Sequence, residues 1–287
     1  MAAPTRGAVV ITGASTGIGH ASALHLASLG FQVFAGVRRD EDAERLRAAG
    51  NGSIEPVRMD VTDQSSIDAA AARVREATGG RLAGLVNNAG IAVPGPLEHL
   101  PMDEFRRQIE VNLTGQVAVT QAFLPMLRPS RGRIVNIGSI GGRVALPLLG
   151  PYAASKHAME GLTDSLRREL APSGIQVSIV RPGPIKTEIW ERGNNKADEL
   201  LERMPEAEEH YGPAIAAARA GAAERMKEAI PPKEVADVVA HALTADKPRT
   251  RYLVGPRTRM MALFATVLPD RMFDRMIERF QARDQRG

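Results

Sequence analysis

Short runs of β-branched residues alternate along the chain with longer segments of helical periodicity, and this alternation is the feature that most restricts the fold. A parallel sheet requires it, because each strand must be followed by a crossover, usually a helix, before the next parallel strand. Strands are predicted over residues 8–12, 32–37, 54–59, 82–86, 133–137, 176–180 and 252–254. Helices are predicted near residues 18–29, 43–48, 64–77, 102–127, 152–170 and 233–243. The predicted fold class is α/β: a doubly wound, seven-stranded, mostly parallel sheet with helices on both faces.

The whole chain, residues 1–287, is predicted to form one domain. No internal repeat or low-complexity linker divides the sequence, and doubly wound α/β domains often reach this length. A segment rich in charge and alanine, residues 191–230, precedes a Pro231-Pro232 break and predicts a helical insertion. We interpret it as a lid over a pocket, with a purely structural helical excursion as the alternative.

Several classes of protein are excluded or disfavoured by simple features of the sequence. The first predicted strand begins after seven residues, and no uncharged apolar stretch is long enough to span a bilayer, so a cytoplasmic protein is expected. The absence of cysteine excludes disulfides, thiolate metal sites and a cysteine nucleophile. The six histidines are scattered, with no carboxylate or second histidine at metal-ligand spacing, and no metal site is predicted.

The C-terminal extension, residues 256–287, carries most of the basic character of the chain. From Arg249 to Gly287 there are nine arginines and four acidic residues. Apolar and basic side chains there fall at helical spacing: Met272, Phe273, Met276, Ile277 and Phe280, beside Arg271, Arg275, Arg279 and Arg283. Such a helix packs on its own protein or a subunit, or lies on an anionic membrane surface. Nucleic-acid binding is not expected, because only 4% of residues are aromatic.

A glycine-rich turn, Thr12-Gly-Ala-Ser-Thr-Gly-Ile-Gly19, follows the first predicted strand and leads into a helix. Glycine lets a backbone turn tightly and approach a pyrophosphate, and the following helix offers free N–H groups and the positive end of its dipole. A glycine turn that only connects strand and helix is the alternative. Further motifs follow other strands: Asn87-Asn-Ala-Gly90 after the fourth and Pro182-Gly183 after the sixth. All belong to the carboxyl edge of the sheet, where such folds bind ligands.

Tyr152 is the one tyrosine of three that is followed by a lysine four positions later, Lys156. Positions i and i+4 share a face of a helix. A lysine ammonium beside a phenol favours the phenolate, so we expect Lys156 to lower the pKa of Tyr152 from its ordinary value of about 10.

From residue 8 to about residue 254, the chain resembles the short-chain dehydrogenase/reductase family, whose fold is of the Rossmann type. The motifs that carry the resemblance are Thr12-Gly-x-x-x-Gly-Ile-Gly19, Asp60-Val61, Asn87-Asn-Ala-Gly90, Asn112, Ser139, Tyr152-x-x-x-Lys156 and Pro182-Gly-x-x-x-Thr187. Within the family the chain looks most similar to the branch of retinol and 17β-hydroxysteroid dehydrogenases and its bacterial relatives.

The resemblance implies an oxidoreductase that transfers a hydride between a nicotinamide cofactor and a ketone or secondary alcohol. Tyr152 is implied as the general acid/base and Ser139 as the residue that holds the substrate oxygen. Lys156 would bind the nicotinamide ribose, and Asn112 would anchor a water that relays protons. The alternatives are an ordinary turn serine for Ser139 and a capped or kinked helix position for Asn112. A catalytically idle dinucleotide-binding module, serving as a redox sensor or scaffold, is the alternative function.

The same resemblance implies a cofactor site, in which Asp60 contacts the adenine and Thr187 the nicotinamide carboxamide. Asp60 has an N-cap role as its alternative. At the end of the second strand, Arg38 suits the 2′-phosphate of NADP, so NADP(H) is the expected cofactor. A solvated turn with NAD(H) bound nearby is the alternative. The expected cofactor-binding residues are Gly13, Ser15, Thr16, Gly17, Ile18, Gly19, Arg38, Asp60, Val61, Asn88, Ala89, Gly90, Tyr152, Lys156, Pro182, Gly183, Ile185 and Thr187.

The expected partners are a small hydrophobic carbonyl or alcohol substrate and further copies of the chain. Residues 93–97, 144–149 and 189–190 are apolar, with no fixed cation or carboxylate for a charged substrate. In the family, the helices near 102–127 and 152–170 commonly pack against their counterparts, which implies a homodimer or homotetramer.

Overall fold

A single parallel sheet of seven strands forms the centre of the computed structural model, which describes residues 6–284 and their side chains as far as Arg279. The strands are β1 (Ala8–Ile11), β2 (Gln32–Val37), β3 (Ile54–Arg58), β4 (Gly84–Asn87), β5 (Arg133–Ile137), β6 (Gln176–Pro182) and β7 (Arg251–Val254). Their order is β3-β2-β1-β4-β5-β6-β7, and every neighbouring pair is parallel. The predicted fold class is confirmed. Parts of the predicted domain lie outside the described residues, namely residues 1–5, residues 285–287 and the side chains of Phe280 and Arg283.

The helices that follow the strands are α1 (Gly17–Ser28), α2 (Asp40–Ala49), α3 (Gln64–Thr78), α4 (Met102–Ile109), α5 (Gly115–Leu127), α6 (Gly150–Leu170), α7 (Glu188–Glu202), α8 (Pro205–Lys227), α9 (Pro232–Thr244), α10 (Thr258–Val267) and α11 (Asp270–Asp284). The prediction of one helix over residues 102–127 is wrong in one respect. A π-helical turn, Glu110–Thr114, separates α4 from α5. Turns of this kind are common at functional sites, and helical periodicity does not reveal them.

Two apolar clusters pack on opposite faces of the sheet and hold it between helices. One contains Val9, Ile11 and Val33 with side chains of α1 and α9, and the other contains Val10, Phe34 and side chains of α3, α5 and α6. Consecutive β1 residues alternate between the clusters, as the period of two in a strand requires. With both faces covered, the strands are apolar throughout, which is why their sequences are continuous β-branched runs.

Strands β2 and β3 lie on one side of β1, and strands β4 to β7 lie on the other. The topological switch point of the sheet is therefore at the carboxyl ends of β1 and β4. The predicted lid consists of α7 and α8, and α11 packs against α8. Thus the C-terminal helix packs on its own protein, one of the two placements that its amphipathic pattern allowed. Across residues 6–284, no helix combines the length and the apolar character that a membrane span needs.

Candidate active site

The predicted cofactor residues converge on one cleft of about 1070 Å³ at the carboxyl edge of the sheet. All but one of them line it: Gly13, Ser15, Thr16, Gly17, Ile18, Arg38, Asp60, Val61, Asn88, Ala89, Gly90, Tyr152, Lys156, Pro182, Gly183, Ile185 and Thr187. The exception is Gly19, which is buried beneath the turn. A Cβ there would collide with the carbonyl oxygen of Gly13, so Gly19 lets α1 pack closely on the turn. Its predicted contact with the cofactor stays a prediction.

The glycine turn leaves room for a diphosphate to approach the backbone. Gly13 and Gly17 have φ of +63° and +56°, values that side chains other than glycine rarely adopt. A Cβ on Gly13 would lie 2.8 Å from the Cα of Ala89, and one on Gly17 would lie 3.0 Å from Thr187 Cγ2. Thr16, the N-cap of α1, makes no side-chain capping hydrogen bond. The first N–H groups of α1 thus have no side-chain cap, and they fit an anionic group.

Thr12 and Asn88 hold the glycine turn against the end of β4. Thr12 Oγ1 accepts hydrogen bonds of 2.9 Å from the backbone N–H groups of Asn88 and Ala89. Asn88 Nδ2 donates to the carbonyls of Thr12 and Gly13, at 2.9 and 3.0 Å. Thr12 begins the glycine motif and is not among the predicted site residues, although its position at the end of β1 indicates such a role.

The two arginines after β2 have different environments. Arg39 is the N-cap residue of α2, and its guanidinium bonds the buried Asp42 at 2.9 and 3.1 Å. Arg38 is exposed, lines the cleft and has no hydrogen bond or ion pair with any residue that the structure describes. A free guanidinium therefore stands at the position where a ribose 2′-substituent is bound in such folds. The predicted contact of Arg38 with the 2′-phosphate stays a prediction, as does the solvated-turn alternative.

Asp60 lines the cleft, and the N-cap of α3 is a different residue. Asp63 accepts hydrogen bonds from Ser65 N and Ser66 N at 2.9 and 3.3 Å, so it caps α3. Asp60 Oδ1 accepts from the backbone and the hydroxyl of Thr62, at 3.0 and 2.8 Å. The N-cap alternative for Asp60 is excluded, and its predicted contact with the adenine stays a prediction.

Asn112 lies in the π-helical turn and is 1% exposed, so it does not line the cleft itself. Its Oδ1 accepts from Ile91 N at 2.8 Å, while Nδ2 donates to Ile91 O at 3.0 Å and to Ser155 Oγ at 3.1 Å. Ser155 in turn donates to the carbonyl of Tyr152 at 2.8 Å. Both amide hydrogens of Asn112 are engaged, so a relay water would have to bind the second lone pair of Oδ1 or the backbone. Ser155, which sequence reasoning missed, links Asn112 to the helix that carries Tyr152.

Tyr152, Ser139 and Lys156 meet where β5 and α6 approach each other. Ser139 follows β5, and its Oγ accepts from Gly141 N at 3.0 Å. Lys156 is buried, its Nζ donates to the carbonyl of Ile137 at 2.8 Å, and it lies 5.8 Å from the centre of the Tyr152 ring. Gly141 packs against that ring, since a Cβ there would lie 3.0 Å from Tyr152 Cε1. The predicted acid/base group and its neighbours are therefore adjacent in space.

The pKa of Tyr152 is raised, which is the opposite of the expected shift. Burial disfavours the phenolate and outweighs the Ser139 hydroxyl, which acts in the other direction. Burial also lowers the pKa of Lys156 to about 8. The expectation rested on the charge of Lys156 alone and left out the cost of burying a phenolate. The phenol of Tyr152 is therefore protonated at neutral pH, the form that can donate a proton.

A second cavity, of about 560 Å³, opens beside Ser139 and Tyr152, which line both it and the cofactor cleft. Its walls include Val144, Leu146, Leu149 and Trp190 from the predicted apolar segments. Helix α8 of the predicted lid contributes Ala222, Ala223 and Met226, and the C-terminal helices contribute Met260, Met261 and Ile277. The contribution of α10 and α11 was not predicted, because nothing local in the sequence indicates which face of the protein they cover.

Charged side chains also line this cavity, contrary to the expectation from the apolar segments. Arg219 pairs with Asp198, and Arg257 pairs with Glu228 at 2.9 Å. The pairs join residues of the lid and the C-terminal part that are distant from the apolar segments, so the local sequence did not reveal them.

The histidines are scattered in sequence, but the structure brings two of them together. His99 Nε2 and His210 Nδ1 lie 3.3 Å apart although 111 positions separate them, and Glu98 is adjacent. The prediction of no metal site considered spacing along the chain only, whereas this group brings ligand-type side chains together in space. Spacing along the chain could not reveal it, because the fold of the lid makes the contact.

Comparison with known proteins agrees with this geometry. A family model described as short chain dehydrogenase matches residues 7–198. The chain is 37% identical over 273 residues to the NADPH-dependent 3-dehydrocapnine reductase of Ornithobacterium rhinotracheale, covering 93% of this chain and 94% of that protein. It is 39% identical over 277 residues to Retinol dehydrogenase 5 of Mus musculus, covering 94% and 87%. A short chain dehydrogenase from Burkholderia cenocepacia, solved in complex with NADP, superposes with a TM-score of 0.72 at 28% identity, covering 93% and 96%.

The chain therefore belongs to the short-chain dehydrogenase/reductase family. It is an NAD(P)-dependent oxidoreductase of the type that interconverts CH–OH and C=O groups. Retinol dehydrogenases are among its relatives, as the sequence predicted. The likeness to 17β-hydroxysteroid dehydrogenases stays a prediction.

Proposed function

We propose that this protein is an NADPH-dependent reductase of hydrophobic ketones, with Tyr152 as the general acid. The observation that carries the proposal is the position of Tyr152 and Ser139, which line both the nucleotide cleft and the apolar cavity. A carbonyl group placed between them would face the cofactor on one side, while its apolar substituents fill the cavity on the other.

The residues between the cleft and the cavity have distinct proposed roles. The Ser139 hydroxyl holds the carbonyl oxygen, and Tyr152 gives that oxygen its phenolic proton. When bound, the reduced nicotinamide supplies the hydride that adds to the carbonyl carbon, so the products are an alcohol and the oxidised cofactor. Lys156 stabilises the phenolate that remains, and the phenol is restored by a proton from solvent. The Asn112–Ser155 pair holds α6 in position for this transfer.

The cofactor is supported by two further observations. The free guanidinium of Arg38 in the cleft suits a 2′-phosphate in charge and in geometry, and so favours NADPH over NADH. A relative that is named an NADPH-dependent reductase supports the same assignment.

The cavity supports a substrate that is larger than a simple ketone and carries no net charge. A volume of about 560 Å³ holds a long alkyl chain or a fused ring system. Two cations of the cavity lining, Arg219 and Arg257, are each paired with an acid.

A panel of ketones of increasing length tests the proposal, with the loss of reduced nicotinamide absorbance as the readout. Purified protein should reduce the long apolar members with NADPH. Tyr152→Phe should lower kcat by about 10²- to 10⁴-fold while NADPH binding stays within a few-fold of that of the native protein. Binding of NADPH without turnover of any ketone or alcohol would instead favour the catalytically idle module. The predicted homodimer or homotetramer stays a prediction, which sedimentation equilibrium tests.

A further inference from the structure

Outside the active site, Glu98, His99 and His210 form one cluster of metal-ligating side chains. Glu98 and His99 lie on the segment between β4 and α4, and His210 lies on the lid helix α8. One ligand atom from each, a carboxylate oxygen and two ring nitrogens, lie within 4.8 Å of one another. The cluster therefore joins the lid to the body of the enzyme.

The distances suit a tetrahedral ion. Two nitrogens that each lie about 2.05 Å from a tetrahedral Zn²⁺ are roughly 3.3 Å apart. His99 Nε2 and His210 Nδ1 are 3.3 Å apart and share a hydrogen bond, which a bound ion would replace. Glu98 Oε2 is 4.0 Å from His99 Nε2, and the Glu98 side chain is 59% exposed, so a small rotation brings it to ligand distance.

Tyr211 supports Glu98 in the way that residues hydrogen-bonded to metal ligands support those ligands. Its hydroxyl donates a hydrogen bond of 2.6 Å to Glu98 Oε2. Such partners orient ligands, and their loss typically weakens metal binding.

The cluster lies where the lid is already packed against the body. Leu100 and Val93 form an apolar cluster with Met204 and Ala207, at the start of α8. His210 follows Ala207 by three positions, so both lie on the same face of that helix. The two halves of the cluster are thus held in place by neighbouring packing, and an ion need not order them.

We propose that Glu98, His99 and His210 bind Zn²⁺ and that the bound ion ties the lid helix α8 to the segment after β4. Two imidazoles and a carboxylate, with a fourth position open to water, are a ligand set that zinc prefers. The far end of α8 lines the substrate cavity through Ala222, Ala223 and Met226. Zn²⁺ bound at His210 therefore restricts opening of the lid over that cavity. The inference does not depend on the proposed reaction.

A zinc titration of the full chain, followed by calorimetry, tests the site. Any bound metal is first removed with a chelator. One Zn²⁺ should bind per chain, and His210→Ala and Glu98→Gln should each weaken binding by about 10-fold or more. Tyr211→Phe, which keeps all three ligands, should weaken it less. The matched control is His241→Ala, because His241 is an exposed histidine of α9 outside the cluster, and its loss should leave zinc binding unchanged.

Two readouts distinguish a defined zinc site from nonspecific binding of zinc to surface side chains. Co²⁺ in place of Zn²⁺ should give the intense visible absorption of a tetrahedral ion, and His210→Ala should abolish it. Zinc should also slow proteolysis within residues 188–227 of the native chain and not of His210→Ala. The absence of stoichiometric binding, or binding that survives the double replacement of His99 and His210 by alanine, would overturn the proposal. Equal melting curves of the native chain and the variants, recorded in the presence of a chelator, exclude misfolding as the cause of lost zinc binding.

Discussion

Asn112 and Ser155 are joined by a hydrogen bond of 3.1 Å that crosses from the π-helical turn to α6. Because Ser155 also bonds the carbonyl of Tyr152, this contact connects the catalytic helix to the backbone of Ile91 through the Asn112 amide. Both side chains are buried, so neither has water as a substitute partner.

Ser155→Ala should therefore destabilise the protein and lower kcat together. The change leaves an amide hydrogen of Asn112 buried without its partner, which costs about 1–3 kcal/mol. Urea unfolding measures the stability, and single-turnover reduction measures the chemical step. The control is Ser28→Ala, which removes an exposed serine hydroxyl and should change little. Equal effects of the two substitutions would contradict a positioning role for Ser155.

The pH dependence of reduction should follow Lys156. Its pKa of about 8 means that the ammonium is present below pH 8 and is lost above it, whereas the raised pKa of Tyr152 keeps the phenol protonated through that range. We expect kcat/KM for ketone reduction to be level at neutral pH and to fall as the pH rises through about 8. In Lys156→Arg, whose guanidinium does not titrate, the fall near pH 8 should disappear even if the rate is lower. A profile that stays level in the native enzyme to pH 10 would contradict this assignment.

Cofactor preference should depend on Arg38 and not on Arg39. Arg38→Gln and Arg39→Gln each remove one positive charge, but only Arg38 lines the cleft, while Arg39 is occupied by Asp42. A charge-assisted hydrogen bond contributes about 1.5–3 kcal/mol, so Arg38→Gln should reduce the ratio of kcat/KM for NADPH to that for NADH by roughly 10- to 100-fold. Arg38→Asp should move the preference further toward NADH. If both glutamine variants shift the ratio alike, general charge and not a specific contact is responsible.

Substrate length should be controlled by the lid. Ala223 lines the cavity, so Ala223→Phe should lower kcat/KM for long ketones while short ketones and NADPH binding are little affected. Ala214, on the opposite and exposed face of α8, provides the control in Ala214→Phe. Steady-state kinetics over the same ketone panel measures the ratio. A uniform loss for all lengths would indicate distortion of the site and not a filled cavity.

A buried ion pair should contribute to the stability of β6. Arg181 donates two hydrogen bonds of 2.6 Å to the carboxylate of Glu160, and both side chains are largely buried. Glu160→Gln removes the charge that compensates Arg181 and should cost about 3–5 kcal/mol. Urea unfolding at neutral pH measures the loss. Glu76→Gln, which removes an exposed carboxylate from a surface pair, is the control and should cost at most about 1 kcal/mol.

Much of the fold could be predicted because its signals are local. A strand buried on both faces must be a short apolar run, and a tight turn at a diphosphate must contain glycine at positions such as Gly13 and Gly17. Predicted strand ends differ from the observed ones by at most two residues. The π-helical turn at Asn112 could not be predicted in this way, because one extra residue in a helix leaves the apolar periodicity on either side nearly unchanged.

The sequence alone determined the parallel α/β fold and the motifs at the carboxyl edge of the sheet, since each depends on residues close together in the chain, and it predicted the catalytic role of Tyr152. Only the tertiary structure decided which groups bond to Asn112 and that Arg38 lines the cleft without a protein partner. It also decided that α8, α10 and α11 line the cavity and that His99 contacts His210. It also decided the sign of the pKa shift of Tyr152, because burial depends on what the rest of the chain places around the phenol. Contacts between distant segments arise from packing, and spacing along the chain does not encode them.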